Sequence, residues 1–424
     1  MTPPPAVNDA GILISANESI RPVAAQERIQ SVDVLRGWAL FGILMVNMEF
    51  FAWPLSFMFF PQTWANPMDT LSENFMKVFF QGKFYTLFST LFGWGFSIYL
   101  LKGERAGKSA IGTYVRRIVV LLIIGAIHAY LIWMGDILLI YSFTAFILLL
   151  FRKAKPKTLV LWAAILLLLP VGMSLAGAVA KMDPAKAKEI QADSDKHETQ
   201  LKGLAESGLR VYPSGSFAEV TAQRTREYNS MIPFMLFFGP GILAMFLMGL
   251  YAGRKGLLHD VKAHLPFLRK LMWLGFAIGI PASVFTVWAS HLTNLMGPSF
   301  LGSGIMLAGA FGNPALSYAY ASALILLTQD SAWALRLRPV AMAGRMALTN
   351  YLMMSLICIT IFYSHGLGMY GKMGPRWFPL IVIAIYGVEL VWSTWWLKRF
   401  HFGPMEWFWR TMTYGKAQPM RIGH

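Results

Sequence analysis

Apolar residues in this chain fall in long unbroken runs, and lysine and arginine crowd into every second gap between them. A hydrocarbon core about 30 Å thick takes roughly 20 apolar residues per helix. On that basis the runs are 34–60, 76–101, 118–134, 137–151, 158–180, 231–253, 271–290, 304–327, 340–363 and 378–397. The pattern predicts an all-α polytopic membrane protein with about ten transmembrane helices. The third and fourth runs are short and separated only by Gly135-Asp136, which predicts a tight helical hairpin.

The charged gaps orient the spans. Lys102, Arg105, Lys108, Arg116 and Arg117 fill the second gap, and Arg152, Lys153, Lys155 and Lys157 the fourth. Arg254, Lys255, Lys262, Arg269 and Lys270 fill the sixth, and Arg336 and Arg338 the eighth. Lys398, Arg399, Arg410, Lys416 and Arg421 follow the last span. Of the other gaps, the first holds only Lys77, the third and seventh no basic residue, and the ninth Lys372 and Arg376. Short cytoplasmic loops carry the Lys/Arg excess, so both termini are expected in the cytoplasm. The fifth gap mixes acidic and basic residues and is too long for the rule, so parity alone places it outside.

Composition agrees with this reading. Hydrophobic residues make up 56% of the 424 and charged residues only 14%, where a soluble domain carries about 25% charged residues. The net charge of +16 is dispersed along one membrane face, where anionic lipids attract it. Nucleic-acid binding is therefore not expected, and the lipid bilayer is the expected partner. Cys358 lies inside an apolar run and excludes an internal disulfide or a cysteine-built metal site. His-Glu-x-x-His is absent too, and no metal is expected.

Five regions follow. Residues 1–27 read as a disordered cytoplasmic tail, 28–180 as the first five spans, and 181–230 as a non-cytoplasmic loop or cap. Residues 231–400 hold the last five spans, and 401–424 an interfacial helix and tail rich in Trp407, Phe408 and Trp409. No internal repeat is evident, which argues against a transporter built from inverted halves. Gly-Trp-Gly at 93–95 lacks phosphate-loop spacing and suits close helix packing.

Ionisable and amide side chains at membrane depth usually face the bundle interior or a wet cavity. Helical rise places His128 and Asn47 about 16 Å from the basic face, Asn350 about 18 Å and Glu389 about 13 Å, a single stratum on four helices. Toward the other face lie Asp136 at the hairpin turn and Lys83 with Tyr85 nearby. The basic layer contains Asp33 and Arg36 on one helical face, then Arg116, Arg117 and Arg345. Those arginines suit phosphate binding through charge-assisted forks, and equally they mark the cytoplasmic side. His128 can serve as a general base with Asp136 orienting its ring. Helical rise alone separates the two by more than a hydrogen bond, so a pair needs the chain to fold back or a water to bridge.

Arg28-Ile-Gln-Ser-Val-Asp33-Val-Leu-Arg36-Gly37, running on to Asn47, resembles the opening motif of the YeiB-like family of bacterial inner-membrane proteins, a family of unknown function. The resemblance continues through Lys83-Phe-Tyr-Thr-Leu-Phe-Ser, Arg116-Arg117, His128 and Trp133-Met-Gly135-Asp136. It resumes at Gly344-Arg345-Met-Ala-Leu-Thr349-Asn350-Tyr351 and closes at Gly403-Pro404-Met-Glu406-Trp407-Phe-Trp-Arg410. Ser-x-Asp-x-x-Arg-Gly in the first span is also similar to the heparan glucosaminide N-acetyltransferases and the acyltransferase-three family.

The second resemblance implies acyl transfer from cytoplasmic acyl-coenzyme A, acetyl-coenzyme A in the simplest case, to a glycan, lipid or small-molecule acceptor. Asp33, Arg36, Arg116, Arg117 and Arg345 would hold the coenzyme, and His128 with Asp136 would act on the acceptor. Asn47 would stabilise the oxyanion, while Lys83, Tyr85, Asn350 and Glu389 would line the acceptor site. The heparan-type enzymes carry their histidine soon after the first span, and residues 47–76 here hold none. His128 would take that role from another helix. The alternatives are a proton-coupled transporter or exporter of a small polar or lipidic metabolite, and a lipid-binding scaffold. Association with further copies of the chain stays open.

Overall fold

A computed structural model describes residues 29–60, 62–105, 111–293 and 297–422. The tail expected over 1–27, Arg28 of the opening motif and Lys108 of the second gap lie outside the described residues. The helices in chain order are α1 (Gln30–Ala52), α2 (Pro67–Phe79), α3 (Lys83–Arg105), α4 (Ile111–Ile127), α5 (Leu138–Leu148), α6 (Pro156–Ala180), α7 (Pro184–Val211) and α8 (Phe217–Arg254). They continue as α9 (Leu265–Ser290), α10 (Phe300–Leu327), α11 (Ser331–Arg336), α12 (Arg338–Arg345), α13 (Ala347–Phe362), α14 (Phe378–Leu397) and α15 (Pro404–Tyr414). No strand forms among the described residues beyond an isolated bridge, Phe400 to Arg421.

Among the described residues eight helical stretches are long and apolar enough to cross a membrane, and α12 with α13 makes a ninth that is bent by 87°. A shorter apolar helix, Leu138–Phe151, matches the fourth predicted run. The protein is a polytopic all-helical membrane protein. Its second crossing begins earlier than residue 76. Asn66 caps α2 by accepting from the Met68 N–H at 2.9 Å, and α2 joins α3 through Gly82, whose φ of 86° suits glycine. The ninth run departs most from expectation. It is not one straight helix, and the chain turns sharply at Met346.

Burial decides which helix is central. In α1, 72% of the apolar window is buried, against 17% in α6, whose Leu161, Trp162, Ile165 and Leu168 face outward as lipid contact requires. The largest core cluster joins α1 to α13 and α14 and includes Phe51, Trp133, Tyr351 and Cys358. At 38 residues α8 is about 57 Å long, well beyond a hydrocarbon core. Its first turns, started by a Ser216–Glu219 capping box, project past the apolar layer and pack on α7. There Gln223 donates to the Leu204 carbonyl at 2.9 Å.

Glycines let the helices touch backbone to backbone. A methyl group at Gly93 of α3 would overlap the Phe246 carbonyl of α8, and one at Gly249 would overlap the Thr90 carbonyl. Gly95, in the same tripeptide, has open space around it. Gly37 of α1 abuts the Val340 carbonyl of α12, and Gly344 abuts the Asp33 carbonyl. Both motif glycines therefore serve one crossing, and Arg36 and Arg345 flank it.

Interrupting a helix between α12 and α13 leaves backbone N–H groups without partners. Glu406 of α15 supplies them. Its carboxylate accepts from the N–H groups of Leu348 at 2.6 Å and Thr349 at 3.0 Å, and from the Thr349 hydroxyl at 2.6 Å. The two terminal motifs thus meet as one capping assembly, which fixes α15 against the start of α13.

Gly93→Ala is expected to destabilise the purified protein by about 1–3 kcal/mol. Gly95→Ala should be neutral or stabilising by up to about 1 kcal/mol, and thermal unfolding in detergent compares them. Equal effects would contradict this packing. Glu406→Ala is expected to cost about 2 kcal/mol through the uncapped amides, with Thr349→Ala milder in the same assay.

Candidate functional site

The site starts where α4 stops being regular. Over His128–Ile132 the backbone takes a π turn, closed by the Trp133 N–H donating to the His128 carbonyl at 2.8 Å. Trp133 then goes extended, and its ring covers Gly135, where any side chain would collide with the indole. The indole itself stacks on Phe51 of α1 with ring centroids 3.9 Å apart. The chain folds back under this ring, and that reversal brings Asp136 onto His128.

His128 Nδ1 and Asp136 Oδ1 lie 2.8 Å apart, with His128 at 0% and Asp136 at 4% exposure. The other carboxylate oxygen, Oδ2, accepts from the Leu139 N–H at 2.7 Å and so caps the start of α5. The Tyr351 ring of α13 lies 5.1 Å from the imidazole. Its hydroxyl accepts from the Ile137 N–H at 3.3 Å beside the Asp136 carboxylate. His128 Nε2 is buried and has no hydrogen-bond partner. In the neutral tautomer whose Nδ1–H donates to Asp136, Nε2 presents a bare lone pair. Such a nitrogen can accept from an N–H or O–H donor placed beside it.

Asn350 and Glu389 do not join this group. Asn350 sits four residues into α13, past the bend, so counting helical rise from Arg338 misplaces it. Adjacent residues on a helix point about 100° apart, so Tyr351 faces His128 while Asn350 faces α14. There Asn350 Nδ2 donates to Ser393 Oγ at 2.9 Å and to the Ala343 carbonyl at 3.2 Å. Glu389, one turn before Ser393, is 3% exposed, and neither of its carboxylate oxygens has a partner. The expected single stratum is therefore split into two polar groups by α13. Asn47 is half-buried and is not a hydrogen-bond partner of either member of the His128–Asp136 pair.

Lys83 opens α3, is 3% exposed and donates to the Lys77 carbonyl at 3.1 Å. Nearby, Lys77 pairs with Glu73 at 2.5 Å, and Glu49 feels both charges. The Tyr85 carbonyl accepts the Tyr141 hydroxyl at 3.1 Å. At the basic end Asp33 pairs with Arg36 at 3.2 Å. Arg117 stacks over Trp409 at 3.7 Å, Arg116 reaches the Thr413 carbonyl at 3.4 Å, and Arg345 reaches the His401 carbonyl at 3.5 Å. These three arginines surround the C-terminal segment. Among the described residues no group of three His, Cys, Asp or Glu side chains is placed to hold a metal ion.

Sequence reasoning gave no site role to Tyr351, Glu406 or Arg224. Tyr351 and Glu406 stood inside quoted motifs, next to Asn350 and Trp407, and that adjacency was the available signal. Arg224 belongs to a stretch rich in charge, which reads as solvated, yet it is completely buried.

The family described as a protein of unknown function (DUF418) matches residues 252–416. Uncharacterized protein YxaH of Bacillus subtilis (strain 168) is 37% identical over 421 residues, covering 95% of this chain and 98% of its own. Uncharacterized protein YeiB of Escherichia coli (strain K12) is 29% identical, covering 93% of this chain and 98% of its own. A 39.9 kDa protein of Bacillus acidopullulyticus, named for its place in the amylase 3' region, is 28% identical over 95% of this chain and 98% of its own. No solved structure matches. End-to-end similarity at that level settles kinship: the chain belongs to the DUF418 family of YeiB-like membrane proteins.

Proposed function

We propose that this protein is an acyltransferase of the bacterial cytoplasmic membrane, moving an acyl group from cytoplasmic acyl-coenzyme A to a hydroxyl or amine acceptor of the envelope. The carrying observation is the buried His128–Asp136 pair with an unpartnered Nε2. In this reading the acceptor hydroxyl gives its proton to Nε2 as its oxygen adds to the thioester carbonyl. Asp136 stabilises the resulting imidazolium. The tetrahedral intermediate collapses with loss of coenzyme A thiolate, and the imidazolium returns the proton to that sulfur. Asn47 or Lys83 takes the role of oxyanion donor. Arg36, Arg116, Arg117 and Arg345 hold the coenzyme phosphates at the basic end, where three of them already line the C-terminal segment.

Incubation of the purified protein with labelled acetyl-coenzyme A and an envelope extract tests this reading. His128→Ala is expected to slow label transfer about 100-fold or more, and Asp136→Asn to slow it as well. Absence of coenzyme binding together with an indifferent His128→Ala variant would remove the proposal.

A second reading is favoured by Glu389, whose buried carboxylate has no partner. A group of this kind at membrane depth suits proton coupling in a transporter or exporter of a small polar or lipidic metabolite. In proteoliposomes carrying an internal pH dye, substrate-driven proton flux that Glu389→Gln abolishes would establish transport. Flux surviving that change would exclude Glu389 as the coupling group.

A further inference from the structure

At the end of the bundle opposite the basic loops, the first turns of α8 hold an arginine in an unusual position. Arg224 is 0% exposed. Its Nη1 donates to the Tyr130 carbonyl at 3.2 Å, inside the π turn that also carries His128. Its Nε and Nη2 are buried and have no partner. These two nitrogens form one edge of the guanidinium, the parallel fork that matches two oxygens of a carboxylate or phosphate. Leaving such donors bare in a desolvated place is costly.

Glu227, a carboxylate that feels the Arg224 charge, is engaged elsewhere. Glu227 accepts from the Tyr212 hydroxyl at 2.7 Å and from Gln223 Nε2 at 2.8 Å. It feels the charges of both Arg224 and Arg226. Two tyrosines complete the cluster. The Tyr370 hydroxyl is buried and unpartnered, the buried Tyr363 hydroxyl lies against Tyr212, and their rings pack on Tyr212 at 4.7 and 4.5 Å. Tyr363 also lies within the electrostatic reach of Arg224. On the loop that follows α13, burial and then the Arg224 charge push His365 below its ordinary value. A small cavity lined by Ser56, Met134, Leu201, Glu227 and Ser230 lies on the Glu227 side of the cluster, and Arg224 is not among its lining residues.

We propose that Arg224 anchors a binding site for an oxyanion, a carboxylate or phosphate group, with the Tyr363 hydroxyl as a further donor. The fork of Nε and Nη2 grips two oxygens, and the ligand supplies the acceptors that the protein withholds. Whether that group belongs to a soluble molecule or a lipid head is a matter of source, since the chemistry of recognition is shared. Binding is read without turnover, so the proposal is independent of acyl transfer.

The experiment uses the full chain in phosphatidylcholine nanodiscs at constant ionic strength. Thermal unfolding is followed against acetate, inorganic phosphate, or phosphatidylglycerol introduced into the disc. At least one is expected to raise the Tm saturably, and which one does so identifies the source. Arg224→Lys, which keeps charge but loses the fork, should weaken the apparent affinity about tenfold or more. Tyr363→Phe removes one hydroxyl while keeping the ring that packs on Tyr212, and it should weaken the response too. No Tm response to any of the three in the wild type would overturn the proposal, as would wild-type responses in both variants.

Discussion

A backbone N–H at membrane depth must find a partner within the protein, and this bundle is organised by where it breaks that rule's simplest solution. It interrupts its helices at the π turn after α4 and at Met346 between α12 and α13. A carboxylate repairs the backbone just beyond each break. Asp136 takes the Leu139 N–H, and Glu406 takes those of Leu348 and Thr349. Charge near a helix N-terminus also complements the helix dipole, so each repair is favoured twice.

Asp136 shows how such a repair acquires chemistry. One oxygen caps α5 while the other holds the His128 ring, so orientation of the imidazole is tied to the integrity of the hairpin. The imidazole is therefore oriented by a carboxylate that the backbone of the hairpin itself fixes. Glu406 works in the same way at the other break. It binds the C-terminal aromatic helix to the start of α13, and Arg117 is then clamped between α4 and Trp409. Elements distant in sequence become one unit through hydrogen bonds to exposed ends.

Much of the architecture was legible because apolar run length and composition speak directly to helices in a bilayer. The His128–Asp136 relation was legible in part: residue types suggested it, while the uniform rise of a helix argued against direct contact. The π turn and the extended Trp133 supply the missing reversal. Asn350 was misplaced for the same reason in the opposite sense, because apolar composition cannot report an 87° bend. Gly93 and Gly95 looked equivalent as letters, and only the neighbouring helix distinguishes the packed one from the open one. Arg224 was hidden by its own charge, since a basic residue in a polar helix reads as solvated until a second helix covers it.

Cys358 is the one cysteine of the chain and is fully buried at the heart of the bundle. Thiol-directed reagents that stay in water will therefore pass the native protein by. Single cysteines placed in the loops can be tagged selectively without first stripping the wild-type background, and the sidedness of every crossing becomes open to direct chemical mapping in intact cells.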